Sequence, residues 1–126
     1  MEIQRVRTGT PWEETVGFSR VLRAGNMVWT AGTVAADETG VIHGADVYEQ
    51  CCFIFEKLGR AMAQAGSGLE HVVKVTAFIT DIAHADGFTR AHKQYVGAAQ
   101  PACTCVIIDS LFGGALAEIE LIALVP

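Results

Sequence analysis

A chain of 126 residues with nine Lys and Arg against fourteen Asp and Glu carries a formal charge of −5, so nucleic acid is a poor electrostatic partner. The length suits one domain over residues 1–126, yet 51% of the residues are hydrophobic, which predicts a homo-oligomer that buries one face between copies. No apolar run approaches the ~18 residues of a membrane span, and the opening "MEIQRVRTGT" lacks a signal-peptide core, so no membrane partner and a cytoplasmic location are expected.

In chain order, "IQRVR" reads as a short edge strand and "TGTPWEETVG" as a loop. The stretch "FSRVLRAGNMVWTAG" reads as two strands around an Ala24-Gly25-Asn26 turn, where Gly and Asn accept positive φ at little cost. A polar loop follows. The spacing then predicts a helix from about Asp46 to Ala65. Asp46 and Glu49 form a D-x-x-E capping box, and Val47, Cys51, Ile54, Phe55, Leu58, Met62 and Ala65 form one apolar stripe. Gly66 ends it.

"HVVKVTAFIT" is β-branched and reads as a buried strand. A second helix is expected over Ile82 to Val96, with Phe88, Ala91 and Tyr95 inward and Gly87 weakening its first turn. "PACTCVIID" and "AEIELIALV", joined by the loop "SLFGGAL", supply the last two strands. The order β-β-β-α-β-α-β-β describes an α+β layer, a sheet with two helices on one face and a second face that needs a cover.

Candidate chemistry lies in few residues. Glu118 and Glu120 share one face of the last strand, opposite Ala117, Ile119, Leu121 and Ala123. Two carboxylates suit acid–base work if burial or a neighbour raises one pKa, although a solvated strand face has the same pattern. Ile122 and Leu124 continue the glutamate face, so it turns apolar toward the chain end and puts a glutamate at the edge of a cleft.

His92, at the margin of the second helix's stripe, is either a proton shuttle or an exposed flank residue. Cys103 and Cys105 share a strand face, with Val106 and Ile107 pointing to burial. Cys105 is a nucleophile only if a base lowers its pKa, and none is adjacent in sequence. Four cysteines and four histidines show no ligand spacing, so neither a metal nor a disulfide is expected. Glycine-rich nucleotide loops and the serine-hydrolase elbow are absent too.

The order of these stretches resembles the RidA/YjgF family, the reactive-intermediate deaminases, over nearly the whole chain. "GFSRVLRAGNMVWTAGTVAAD" is similar to the family's G-Y-S-x-A…G-x-x-v-x-x-S-G run, and "GADVYEQCCFIFEKLGRAMAQAG" to its first helix, with Asp46 and Gln50 in place. "VVKVTAFITDI" matches the next strand, "PACTCVIIDSL" the P-A-R-S-x-V segment and "AEIELIALV" the E-I-E-x-I-A ending. The resemblance implies a chorismate-mutase-like fold, a homotrimer with small-molecule clefts between subunits, and hydrolysis of enamines or imines of small 2-oxo acids without a cofactor.

Residue by residue, the resemblance makes Glu118 the water-holding glutamate, Gly32 a cleft-lining backbone and Cys105 a cleft cysteine. The departures are Cys103 for a carboxylate-clamping arginine, Phe18 for a tyrosine, Ala31 for a serine and His92 for an asparagine. An arginine fork donates charge-assisted bonds worth ~1.5–3 kcal/mol each, so its loss argues against a 2-imino acid as substrate. Arg20 shares the strand face of Phe18 and is the candidate replacement, though most arginines lie at the surface. The expected function is thus hydrolysis of another small imine, enamine or related reactive metabolite. The alternative is a non-catalytic small-molecule-binding trimer. Ribonuclease activity, sometimes attached to this family, fits the acidic balance badly.

Overall fold

Strict period-two alternation in the last strand organises the molecule. In the computed structural model, which describes residues 1–126, the chain forms strands β1 (Ile3–Val6), β2 (Val21–Ala24), β3 (Met27–Thr30), β4 (Val72–Ile79), β5 (Ala102–Ile107) and β6 (Ala117–Leu124), with helices α1 (Val47–Ala63) and α2 (Ala85–Val96). The strands make one sheet in the order β1-β2-β3-β6-β4-β5. Every pairing is antiparallel except β4 with β5, the pair joined through α2, because parallel neighbours require a crossover. This is the expected α+β order.

Central β6 buries Ala117, Ile119, Leu121 and Ala123 and turns Glu118, Glu120, Ile122 and Leu124 the other way. The buried row meets Val75, Ala77 and Ile79 of β4 and the α1 stripe of Cys51, Ile54, Phe55, Leu58 and Met62, all at most 1% exposed. The opposite face has no layer over it in this chain, and Trp29, Val106 and Leu124 stand about 40% exposed.

Helix α1 starts as its cap requires. The Glu49 amide donates to Asp46 Oδ1 at 2.8 Å, while the Glu49 carboxylate accepts from the Ala45 amide, one residue before the expected Asp46 amide. At the far end Gly66 takes φ 84, and the Ser67 amide donates to the Met62 carbonyl. The second helical region divides into a tight turn at Ile82–His84 and α2 proper. Its inner face holds Phe88, Ala91 and Val96, with Tyr95 only half-buried.

Gly87 costs helix propensity, and the structure supplies the reason for its presence. A Cβ there would meet Val47 Cγ1 at 2.5 Å and the Tyr48 amide at 3.1 Å. A side chain would force the two helices apart.

Three expectations are corrected. The "TGTPWEETVG" segment contains a helical turn at Glu13–Gly17, described below. Cys103 and Cys105, expected to be buried, are exposed, as is the whole of β5. As the edge strand it pairs on one side only, and neither face has a covering layer within the chain. Arg20, expected at the surface, is 2% exposed.

The core assignment predicts a contrast between two phenylalanines. Phe55 is fully buried and Phe112 is 82% exposed, so Phe55→Ala should cost about 3–5 kcal/mol and Phe112→Ala no more than about 0.5. Urea titrations of the two variants read the difference directly; matching midpoints would contradict the packing.

Candidate active site

The chain leaves β3 at Thr30 and crosses the end of β6. Thr30 Oγ1 accepts from the Leu121 amide at 2.9 Å, and Thr33 exchanges two backbone bonds with Ile119 at 2.9 and 3.0 Å. Ala31 and Gly32 are thereby held beside Glu118. A Cβ at Gly32 would lie 3.0 Å from Glu118 Oε1, so the carboxyl approaches this backbone closely because the residue is glycine.

A cavity of about 400 Å³ opens here, lined by Phe18, Arg20, Ala31, Gly32 and Glu118 together with Trp12, Lys57 and Phe112. Burial lifts the Glu118 pKa and the neighbouring Glu120 charge adds to it, while Arg20 pulls the other way; the net direction is up. A half-buried carboxyl of raised pKa is suited to accept a proton from a water it holds.

Below the cavity sits a charged cluster that the sequence reading did not identify. Glu13 is 2% exposed and accepts from the Thr8 and Thr10 hydroxyls at 2.7 and 2.6 Å and from both residues' amides. Burial pushes its pKa up, but the bonds from Thr10 and Thr8 and the Arg20 charge outweigh that and hold it at about 2. Arg20 Nη2 lies 3.3 Å from Glu13 Oε2. Its guanidinium also donates to the Gly32 carbonyl at 3.1 Å and Thr33 Oγ1 at 2.9 Å, and it lies over the Phe18 ring. Both Arg20 terminal nitrogens are therefore committed to protein acceptors.

Lys57, 7% exposed, donates to the Ala36 carbonyl at 2.8 Å and to Thr10 Oγ1 at 3.4 Å. Signals for these residues exist in the sequence. Thr10-Pro11-Trp12-Glu13 is a T-x-x-E capping box with proline at the first helical position. Lys57 continues the row Gln50, Ile54, Lys57, Ala61 that flanks the α1 stripe, all of it buried.

The remaining candidates lie elsewhere. Strand register sets Glu118 beside Phe78, whereas Cys103 lies beside Val75 and Cys105 beside Ala77, on the helix-facing side. His92 is on that side too, packed between Phe55 and Phe88, and its buried Nε2 has no hydrogen-bond partner. Burial lowers the His92 pKa, and partial desolvation beside the sheet raises those of the two exposed thiols, which keeps Cys103 and Cys105 protonated and weakly nucleophilic. Within one chain the candidates thus form two groups, one on each side of the sheet. No group of three or more His, Cys, Asp or Glu is placed to hold a metal.

The Glu13–Arg20 pair predicts acid sensitivity. A carboxylate held below its ordinary 4.5 stabilises the fold above that pH, and the contribution is lost as pH falls toward about 2. Melting temperatures between pH 7 and pH 3 should fall less steeply in Glu13→Gln than in wild type. At pH 7 that variant should lose about 3–5 kcal/mol, because Arg20 keeps a buried charge without its partner. Unchanged stability at pH 7 would mean the pair is not structural.

Comparison with known proteins agrees with this architecture. The family model described as Endoribonuclease L-PSP matches residues 10–125. The Streptomyces coelicolor protein SCO2049 is 33% identical over 107 residues, 85% of this chain and 80% of that one. A RutC family protein of Pyrococcus abyssi is 32% identical over 107 residues, 84% of each. Among solved structures, Rv2704 of Mycobacterium tuberculosis, a member of the YjgF/YER057c/UK114 family, superposes with a TM-score of 0.90 at 31% identity, covering 98% of this chain and all of that one. E. coli TdcF, solved with bound serine, gives 0.77 at 30% identity over 85% of this chain and 87% of that one. With nearly the whole chain matched in both sequence and fold, the protein belongs to the Endoribonuclease L-PSP family, the RidA/YjgF group.

Proposed function

We propose that the chain is a RidA-like hydrolase of a small imine or enamine, acting as one domain in a homotrimer in the cytoplasm. The observation that carries this reading is Glu118, a half-buried carboxyl of raised pKa set against Gly32 in a mostly apolar cavity. Water held by Glu118 attacks the imine carbon while the carboxylate takes its proton. The resulting carbinolamine collapses to the carbonyl compound as ammonia leaves. His92 is the proposed proton shuttle for the departing nitrogen, and since its Nε2 is buried against Phe55 and Phe88 in the chain, the side chain must turn outward to act.

His92, Cys103 and Cys105 lie on the opposite side of the sheet from Glu118, so this route needs a second copy to bring its helix-side edge to the Glu118 cavity. The exposed β5 edge and the uncovered Trp29–Leu124 face are surfaces such an assembly would bury. A ligand as small as the serine bound by TdcF is compatible with a cavity of about 400 Å³.

The substrate we infer is not a 2-imino acid. In this reading Cys103 takes the position that the resemblance gives to a carboxylate-clamping arginine, and a thiol with raised pKa offers no positive charge. Arg20, the candidate replacement, spends its terminal nitrogens on Glu13, Thr10, Gly32 and Thr33. That same commitment favours the second reading, a trimer that binds a small molecule without turning it over.

Four measurements test these readings. Glu118→Gln should abolish hydrolysis of a small imine while leaving the oligomer intact, and Glu120→Gln, exposed on the same face, should be milder; equal loss would misassign the base. The acid limb of the wild-type rate profile should lie above pH 4.5, the ordinary carboxyl value, since a raised pKa keeps Glu118 protonated to higher pH. Light scattering should give three chains per particle, and a stable monomer at micromolar concentration would remove the composite cleft. Cys103→Arg should raise turnover of alanine-derived imino acids by about tenfold or more. Wild-type turnover of these compounds at a dedicated enzyme's rate would refute the missing clamp.

A further inference from the structure

Lys57 has no place in the hydrolysis above, yet its setting is that of a reactive amine. It projects from the buried flank of α1 into the Glu118 cavity and also borders a second, polar cavity of about 390 Å³ on its other side. Its two hydrogen-bond acceptors, the Ala36 carbonyl and Thr10 Oγ1, are uncharged, and no carboxylate lies within ion-pairing distance. Arg20 Nη2 touches the same Thr10 oxygen at 3.4 Å, so a second cation stands beside the amine. The Glu13 charge that would offset it is already engaged by Arg20 and four donors from Thr8 and Thr10.

From this geometry we propose that Lys57 forms a Schiff base with a small aldehyde or ketone carrying an apolar substituent. The substituent packs against Trp12, Val16, Phe18 and Phe112, the apolar wall of the cavity. The neutral amine attacks the carbonyl carbon, the C=O π pair moves to oxygen, and proton transfer gives a carbinolamine. Expulsion of that oxygen as water leaves a C=N bond to Nζ, so one carbonyl compound and one amine become one imine and one water. The activity is separate from the proposed imine hydrolysis and does not require it.

The surroundings keep the amine available. Burial lowers the Lys57 pKa and Arg20 lowers it further, while Glu13, Asp37 and Glu38 raise it; the balance lies at about 8. Against the ordinary 10.5, that difference enlarges the neutral fraction at pH 7 by roughly three-hundredfold. Desolvated lysines beside a second cation are activated in this way for carbonyl chemistry.

The chain has only three lysines, Lys57, Lys74 and Lys93, which makes the test clean. Wild-type protein is incubated at pH 7 with isobutyraldehyde and sodium cyanoborohydride, then digested and mapped by mass spectrometry. Lys57 should gain one isobutyl group at least about tenfold faster than Lys74 or Lys93, and its labelling should rise through pH 8 and level off. Glu118→Gln protein should be labelled at Lys57 as well, which keeps this result distinct from any failure of the hydrolase reading. Lys57→Met, checked for folding by circular dichroism, should lose the fast modification. Should Lys57 stay unmodified in the wild type, or react no faster than the other two lysines, the proposal is overturned.

Discussion

The structure depends on a sheet that its own helices cover on one side only. On β6 the small and branched residues Ala117, Ile119, Leu121 and Ala123 pack beneath α1, and the period of two then obliges Glu118 and Glu120 to face the other way. A one-residue slip would place both carboxylates in the core. The location of the candidate base is therefore a consequence of core packing. The same constraint leaves an apolar face beside the glutamates, with Trp29 and Leu124 open to solvent.

A second constraint is charge. The interior holds Glu13, Arg20 and Lys57 at 2%, 2% and 7% exposure, although desolvating ions costs more than a loose pairing returns. Here Glu13 accepts four bonds from Thr8 and Thr10 before Arg20 is counted, so its negative charge is well satisfied. Arg20 in turn ties the start of β2 to Gly32 and Thr33, the backbone that carries the cavity wall past Glu118. The cluster thus positions the site while occupying the cation that might otherwise have gripped a carboxylate ligand.

Distribution of the candidates across both sides of the sheet shapes the functional reading. Glu118, Gly32, Ala31 and Phe18 share one cavity, whereas His92, Cys103 and Cys105 lie toward the helix layer and the free edge. A single chain offers the candidate base and an apolar pocket; bringing His92 or the cysteines to that pocket would take another copy. Lys57, by contrast, lines the Glu118 cavity from within its own chain.

Sequence alone was enough for the element order, the α1 stripe with its Asp46 cap and the faces of β6. All of these rest on local periodicity, local hydrogen bonding or a short motif. Exposure of Cys103 and Cys105 was not legible, because burial of an apolar strand depends on whether it is an edge, and strand order is a long-range property. Arg20 and Lys57 were misjudged or missed for a related reason: a charged side chain enters the interior only when its acceptors are brought there, and Glu13, Thr10 and Ala36 come from separate segments. Even the T-x-x-E signal at Thr10 announced a helical turn and nothing of its buried partner. Periodicity reports which face a residue occupies, and only the tertiary structure decides what meets it there.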